Sequence, residues 1–152
     1  MLPEADIQAT LRRYFDLLQD HVSAEAMMDV VLTPDFETGF RGGKLWRGLD
    51  GLREFLAARE GFFDERHEVR EILSTSEDGG DTIVSTRLRF FLRRWEPPSA
   101  HSEEFTGDAL HTWRLRPGPD GVRVAAQIVD GFADLDENSK RLFSTPEEGL
   151  SR

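Results

Sequence analysis

Apolar positions recur at helical spacing over residues 4–21, where Ile7, Leu11, Tyr14/Phe15 and Leu18 fall on one face. Pro3, Glu4 and Asp6 suit the start of that helix. Ser23 can cap a second, shorter helix over 24–31, with Pro34 as its stop. "DFETGF" and "KLWRG" flank Gly42-Gly43 and predict two short strands joined by a turn. Asp50 then precedes "GLREFLAAREGFF", a third amphipathic helix whose face carries Leu52, Phe55, Leu56 and Arg59.

Beyond that helix the period drops from 3.6 to 2. Residues 67–75, 82–95, 104–116 and 122–133 alternate as strands, separated by "EDGGD", "EPPSAHSE" and "RPGPDG". The first and last separators read as hairpin turns and the middle one as a longer connection. Helices followed by a long meander predict an α+β domain, a cone-shaped barrel. Its strongly curved, mostly antiparallel sheet is covered by the three N-terminal helices, a cystatin-like roll. A single domain is expected over 1–143, with 144–152, from "STPEEGLSR", as a flexible tail. In "ADLDENS", Asp134 and Asp136 fit a helix N-terminus.

A length of 152 residues suits one domain, and 38% apolar residues with eleven Phe and three Trp suffice for a core. No apolar run reaches the roughly 18 residues of a membrane span, and no signal peptide is recognised, so a cytoplasmic protein without membrane attachment is expected. Cysteine is absent, which excludes disulfides, thiolate metal sites and a thiol nucleophile. The net charge of −10 argues against nucleic acid as a partner. "RLRFFLRR" at 87–94 is the one basic cluster; Arg87, Arg89 and Arg93 share a strand face with Phe91 and Trp95. With Ile83, that face reads as an outer sheet surface that joins two copies into a homodimer. No HxH, HxxxH or HExxH spacing offers a metal site, and no GxGxxG loop or serine elbow is present. Chemistry, if any, is expected to need neither metal nor cofactor.

"DALHTWRLR" holds the sharpest question. His111 alternates with Ala109, Trp113 and Leu115 on an apolar strand face, as a hydrogen-bonded core residue or as a working group in a pocket. On the next strand Val124, Ala126, Ile128, Asp130 and Phe132 share a face, opposite Arg123 and Gln127. Placing the two apolar sets together points His111 and Asp130 into one interior, roughly 8–13 Å apart depending on register, at ~3.3 Å per residue. An imidazole can exchange a proton near neutral pH, and an enclosed carboxylate is a stronger base than an exposed one. Tyr14 could polarise a carbonyl from the covering helix or simply pack, while Asp130 could instead end its strand. Trp46 and Trp113, with Phe40 and Phe55, are expected to wall a site for a small hydrophobic molecule. His21 and His67 read as surface groups at element ends, and His101 as a possible lid group in the Pro/Ser loop.

Over about residues 5–135 the sequence resembles the nuclear transport factor 2-like superfamily, its SnoaL-like branch above all. The resemblance is carried by "LRRYFDLLQD", "LTPDFE", "WRGLDGLREFLAAR" and "HTWRLRPGPDGVRVAAQIVD", in that order. It implies the cone fold and a choice among polyketide cyclase, ketosteroid isomerase, scytalone dehydratase and binding-only functions. Against ketosteroid isomerase, Tyr14 matches the oxyanion-hole tyrosine and His111 a protonated aspartic acid, but the base position falls around Phe40. A phenylalanine takes no proton, and Glu37 is three residues away, so that mechanism is not expected. The cyclase-like members imply Asp130 as the acid–base group, and the dehydratase's histidines make His111 its partner. The resulting expectation is a cofactor-free lyase or isomerase acting on a small cyclic or aromatic substrate. The alternatives are a non-catalytic ligand-binding or dimerisation module, and the small subunit of a ring-hydroxylating dioxygenase.

Overall fold

The computed structural model describes residues 1–143. The expected tail, 144–152, lies outside the described residues. The chain runs α1 (Glu4–Gln19), α2 (Ala24–Val30), β1 (Leu32–Phe40), β2 (Leu45–Arg47) and α3 (Gly48–Ala58). It continues through β3 (Phe62–Asp78), β4 (Asp81–Arg94), β5 (Glu103–Gly118), β6 (Gly121–Ala133) and α4 (Glu137–Leu142). The six strands form one sheet in the order β2-β1-β6-β5-β4-β3, antiparallel except where β1 runs parallel to β6. This is the expected α+β cone. No helix among the described residues is long and apolar enough to cross a membrane.

Two boundaries differ from the periodicity. The third helix was expected to run through Phe63, but it stops at Ala58, with Arg59 as its C-cap and Phe62 N–H donating to the Arg59 carbonyl at 3.0 Å. Phe62 then opens β3, buried with its ring edge-on to Phe105 at 6.3 Å. Pro34, expected as a helix stop, sits inside β1, where pairing with β6 is interrupted between Leu32 and Glu37. An interruption of this kind tolerates a residue that cannot donate to the ladder.

α1 lies against the sheet through Ile7, Leu11, Tyr14, Phe15 and Leu18. Trp113 is the largest fully buried side chain, and Tyr14 and Phe15 meet its ring edge-on at 5.1 and 5.4 Å. Its indole N–H donates to Thr86 Oγ1 at 3.0 Å, which satisfies the one polar atom of the ring. α4 is capped by Asp136, whose carboxylate accepts from Ser139 N–H, and carries Phe143 onto Phe132, ring on ring at 4.5 Å. The helix expected after "ADLDENS" thus forms, with Asp136 rather than Asp134 as its cap, and covers the sheet beside the three N-terminal ones.

The outer face is laced with ion pairs. Asp108 receives Arg87 at 2.7 Å and Arg89 at 3.1 Å, and Asp81 receives both Arg114 and Arg116 at 3.0 Å. The arginines of "RLRFFLRR" thus have acidic partners within the chain. Ile83 and Phe91 are half-buried, Phe91 beneath the Arg66 guanidinium at 4.4 Å, and Trp95 is exposed.

Trp113→Ala and Trp46→Ala are each expected to cost about 3–5 kcal/mol in urea unfolding, as large rings leaving a packed core do. A loss within ~0.5 kcal/mol for either would contradict its burial.

Candidate functional site

Between α1, α3 and the concave sheet lies a cavity that offers about 80 Å³ to the centres of water-sized spheres. On that scale roughly 10–15 Å³ holds one water, so a single-ring organic molecule is a reasonable occupant. Phe15, Phe40, Phe55, Phe62, Phe90, Phe132 and Phe143 line it together with leucine, valine and alanine side chains. Its polar lining is sparse: Thr38, Arg59, His67, His111 and Gln127.

Gln127 organises one side. Its Oε1 accepts from Thr38 Oγ1 at 2.8 Å and from Tyr14 Oη at 3.3 Å. The amide nitrogen then faces His111 Nδ1 at 3.1 Å, so that nitrogen accepts and the ring proton resides on Nε2. Burial pulls the His111 pKa down to about 4, against the opposing pull of the Asp130 charge. Burial likewise pushes the Tyr14 phenol up, with Arg59's charge and Thr38 working the other way.

His67 supplies the other side. It projects from β3, paired with Phe90 of β4, and stacks on Phe15 at 4.5 Å with the rings 7° from parallel. Gln19 Oε1 lies 3.0 Å from its Nδ1, and a carbonyl oxygen can only accept. His67 is therefore protonated on Nδ1 and presents a lone pair on Nε2. Burial first, then the charges of Arg59 and His111, hold its pKa well below the ordinary value. Both rings are neutral near pH 7, in opposite tautomers.

The sequence-derived site residues separate. His111 faces the interior as expected, and Phe40 and Phe55 line the cavity. Tyr14 is fully buried behind that wall, reaching the site only through Gln127. Trp46 and Trp113 are core rather than cavity wall: Trp46 packs on Phe55 at 5.3 Å, and Trp113 is sealed at 0% exposure. Glu37 pairs with Arg47.

The shared interior of His111 and Asp130 does not form. Asp130 lies on the outer face, bound by Arg41 at 2.5 Å and Thr112 Oγ1 at 2.6 Å. The cause is a pair of bulges on β6. Leu115 pairs with Val124 but Arg114 with Ala126, and Leu110 pairs with Gly131 but His111 with Val129. Ala125 and Asp130 are the extra residues. Each extra residue reverses the alternation, so between them Gln127 and Val129 point inward and Asp130 is expelled.

The sequence motifs mark neither His67 nor Arg59 as functional. His67 reads as an element-end residue, whereas β3 begins five residues earlier and carries it inward. Arg59 stood on the apolar helix face, an arginine where the pattern calls for a hydrophobe, and that was the available signal. Its side chain is only 6% exposed and pairs with Glu65 at 0%, while His21 Nε2 stands 2.6 Å from the second Glu65 oxygen.

No protein-family profile and no curated protein matches the chain. Solved structures do. A candidate aromatic ring hydroxylase from Novosphingobium aromaticivorans is 18% identical, with a TM-score of 0.67 over 90% of this chain and 95% of its own. A candidate scytalone dehydratase from the same organism is 11% identical, with a TM-score of 0.70 over 88% and 85%. A candidate dehydratase of the nuclear transport factor 2-like family from Streptomyces avermitilis is 13% identical, with a TM-score of 0.66 over 83% and 93%. At such identities the likeness establishes architecture and leaves activity to the site. The chain has the nuclear transport factor 2-like fold.

Proposed function

We propose that the protein is a cofactor-free lyase or isomerase that moves a proton on a small cyclic or aromatic molecule held in the phenylalanine-lined cavity. One observation carries the reading: two neutral imidazoles in opposite tautomers line the same apolar cavity. His67 Nε2 is the base and His111 Nε2–H the hydrogen-bond donor. Asp130, expelled to the outer face, has no part in the transfer.

For loss of water, His67 takes a proton from a carbon next to the carbinol. The C–H electron pair first delocalises into the substrate. It then forms the new double bond as C–O breaks, and the departing hydroxide takes the proton that His67 holds, leaving as water. His111 donates a hydrogen bond to the departing oxygen and keeps its own proton. A buried imidazolium is costly alone, but here it forms beside the anion it has just generated. Isomerisation needs only the first half, with the proton returned to a different carbon. The candidate dehydratases among the structural neighbours support this class without fixing the substrate.

With β-hydroxycyclohexanone as probe, enone absorbance should report turnover. His67→Gln should lower it by about 10²–10⁴-fold, and His111→Gln by about tenfold. Asp130→Asn should stay well inside either loss. Equal rates for wild type and His67→Gln would remove the proposal, and binding without turnover would support the ligand-binding module instead.

Stability should register the same buried ring. A folded pKa of about 4 against 6.5 unfolded means that the unfolded chain binds more protons between those values. Stability attributable to His111 is therefore intact above pH 6.5 and declines toward pH 4, by about 3 kcal/mol in all. His111→Gln should make the decline in urea-unfolding stability shallower by about that amount, leaving the part that His67 contributes. A decline as steep as the wild type's would place the ring in water.

The outer face of β4 supports a homodimer through Ile83, Phe91 and Trp95 as part of the same proposal. Sedimentation at tens of micromolar should show a dimer that Trp95→Glu weakens. A monomeric wild type would refute it.

A further inference from the structure

Arg59 is one of the few charged side chains sealed inside this molecule. It leaves α3 at the C-cap, on the apolar face of the helix, and lines the cavity. Its guanidinium stands 5.7 Å from the Phe55 ring centre, and its charge is felt by both His67 and Tyr14. Nη2 is paired with Glu65. Nη1 is buried and has no hydrogen-bond partner among the described residues. An unanswered donor on a buried cation costs on the order of 1–3 kcal/mol or more, so its presence calls for an acceptor that the protein itself does not supply.

We infer that Arg59 Nη1 is the binding site for a neutral carbonyl oxygen of the ligand, so that the molecules taken by this cavity are uncharged cyclic or aryl ketones rather than carboxylates. The inference rests on the proposed function, whose cavity it shares. The choice of a neutral group follows from the charge count. Glu65, at 0% exposure, already compensates Arg59, so a carboxylate would add a second buried anion with no cation to meet it. A ketone satisfies Nη1 and brings no net charge. When His67 removes the proton beside that carbonyl, the electron pair moves onto the oxygen, and Arg59 faces the enolate as it forms. A guanidinium aimed at developing charge in a dry site stabilises it strongly. Arg59 is thus a catalytic residue, one that binds the reacting oxygen.

Three single-ring probes test the assignment: acetophenone, benzoate, and isopropenylbenzene, in which =CH2 replaces the ketone oxygen. Titration followed by tryptophan fluorescence should show acetophenone binding wild type about tenfold tighter than isopropenylbenzene, and tighter than benzoate. In the Arg59→Met/Glu65→Met double variant the ketone preference should vanish while isopropenylbenzene affinity persists. Replacing both members removes the buried pair without stranding either charge. Arg59→Lys, which keeps a cation for Glu65 but has no second nitrogen, should also erase the preference, and it serves if the double variant does not fold. The infrared carbonyl stretch of bound acetophenone should be lower in wild type than in either variant. A ketone preference that survives these substitutions, or its absence from wild type, overturns the role of Arg59 alone. Benzoate binding tightest overturns the neutral-ligand assignment. Failure of all three probes to bind overturns the cavity as a ligand site, and the proposed function with it.

Discussion

The Gln127 hub of the interior depends on one extra residue in β6. Without the bulge at Ala125, Gln127 would face outward with Arg123, and Tyr14, Thr38 and His111 would each lose a buried partner. The second bulge restores the original parity, so that Phe132 rather than Gly131 faces the cavity beyond it. Strand alternation alone would thus deliver a carboxylate where the structure has an amide. The amide is the gentler choice for a dry cavity, because it bonds three groups without introducing charge.

That hub explains why His111 can remain neutral and oriented. Gln127 presents its carbonyl to two hydroxyls, which leaves only its NH2 for the imidazole. The tautomer is therefore set by residues on α1 and β1, remote in sequence from β5. His67 is set from elsewhere again, by Gln19 at the last turn of α1 and the face of Phe15. One helix consequently holds partners for both rings: Tyr14 through Gln127, and Gln19 directly. Rotation of α1 against the sheet would disturb both histidines at once.

Much of the fold was legible in the sequence because burial follows the period of each element. The face of α1, the alternation of β5 and the two hairpin turns all appear where the pattern puts them. The site was less legible, since the residues that matter break the pattern. A bulge adds one residue without a composition signal, so the inward turn of Gln127 and the outward turn of Asp130 left no trace in the alternation. β3 carries three register shifts of its own, which hid the inward turn of His67. Trp46 and Trp113, expected as cavity walls, are buried in the core instead. Whether a ring walls a cavity or fills the core depends on what stands opposite, and Phe55 and Tyr14 are read only from tertiary packing.

The chain's charges show how differently it treats its two sheet faces. Outside, Asp81 and Asp108 each gather two arginines in pairs partly open to water, where such contacts contribute little individually and mainly cover apolar side chains. Inside, one pair, Arg59–Glu65, is shut away from water, and its desolvation must be repaid by complete hydrogen bonding. It is not complete, because Nη1 has no hydrogen-bond partner among the described residues, on a side chain that lines a largely hydrocarbon cavity. A fold optimised for stability alone would place leucine there, as the helical pattern of Leu52, Phe55 and Leu56 asks. The departure from that pattern at Arg59 is therefore the strongest mark of function that the sequence carries.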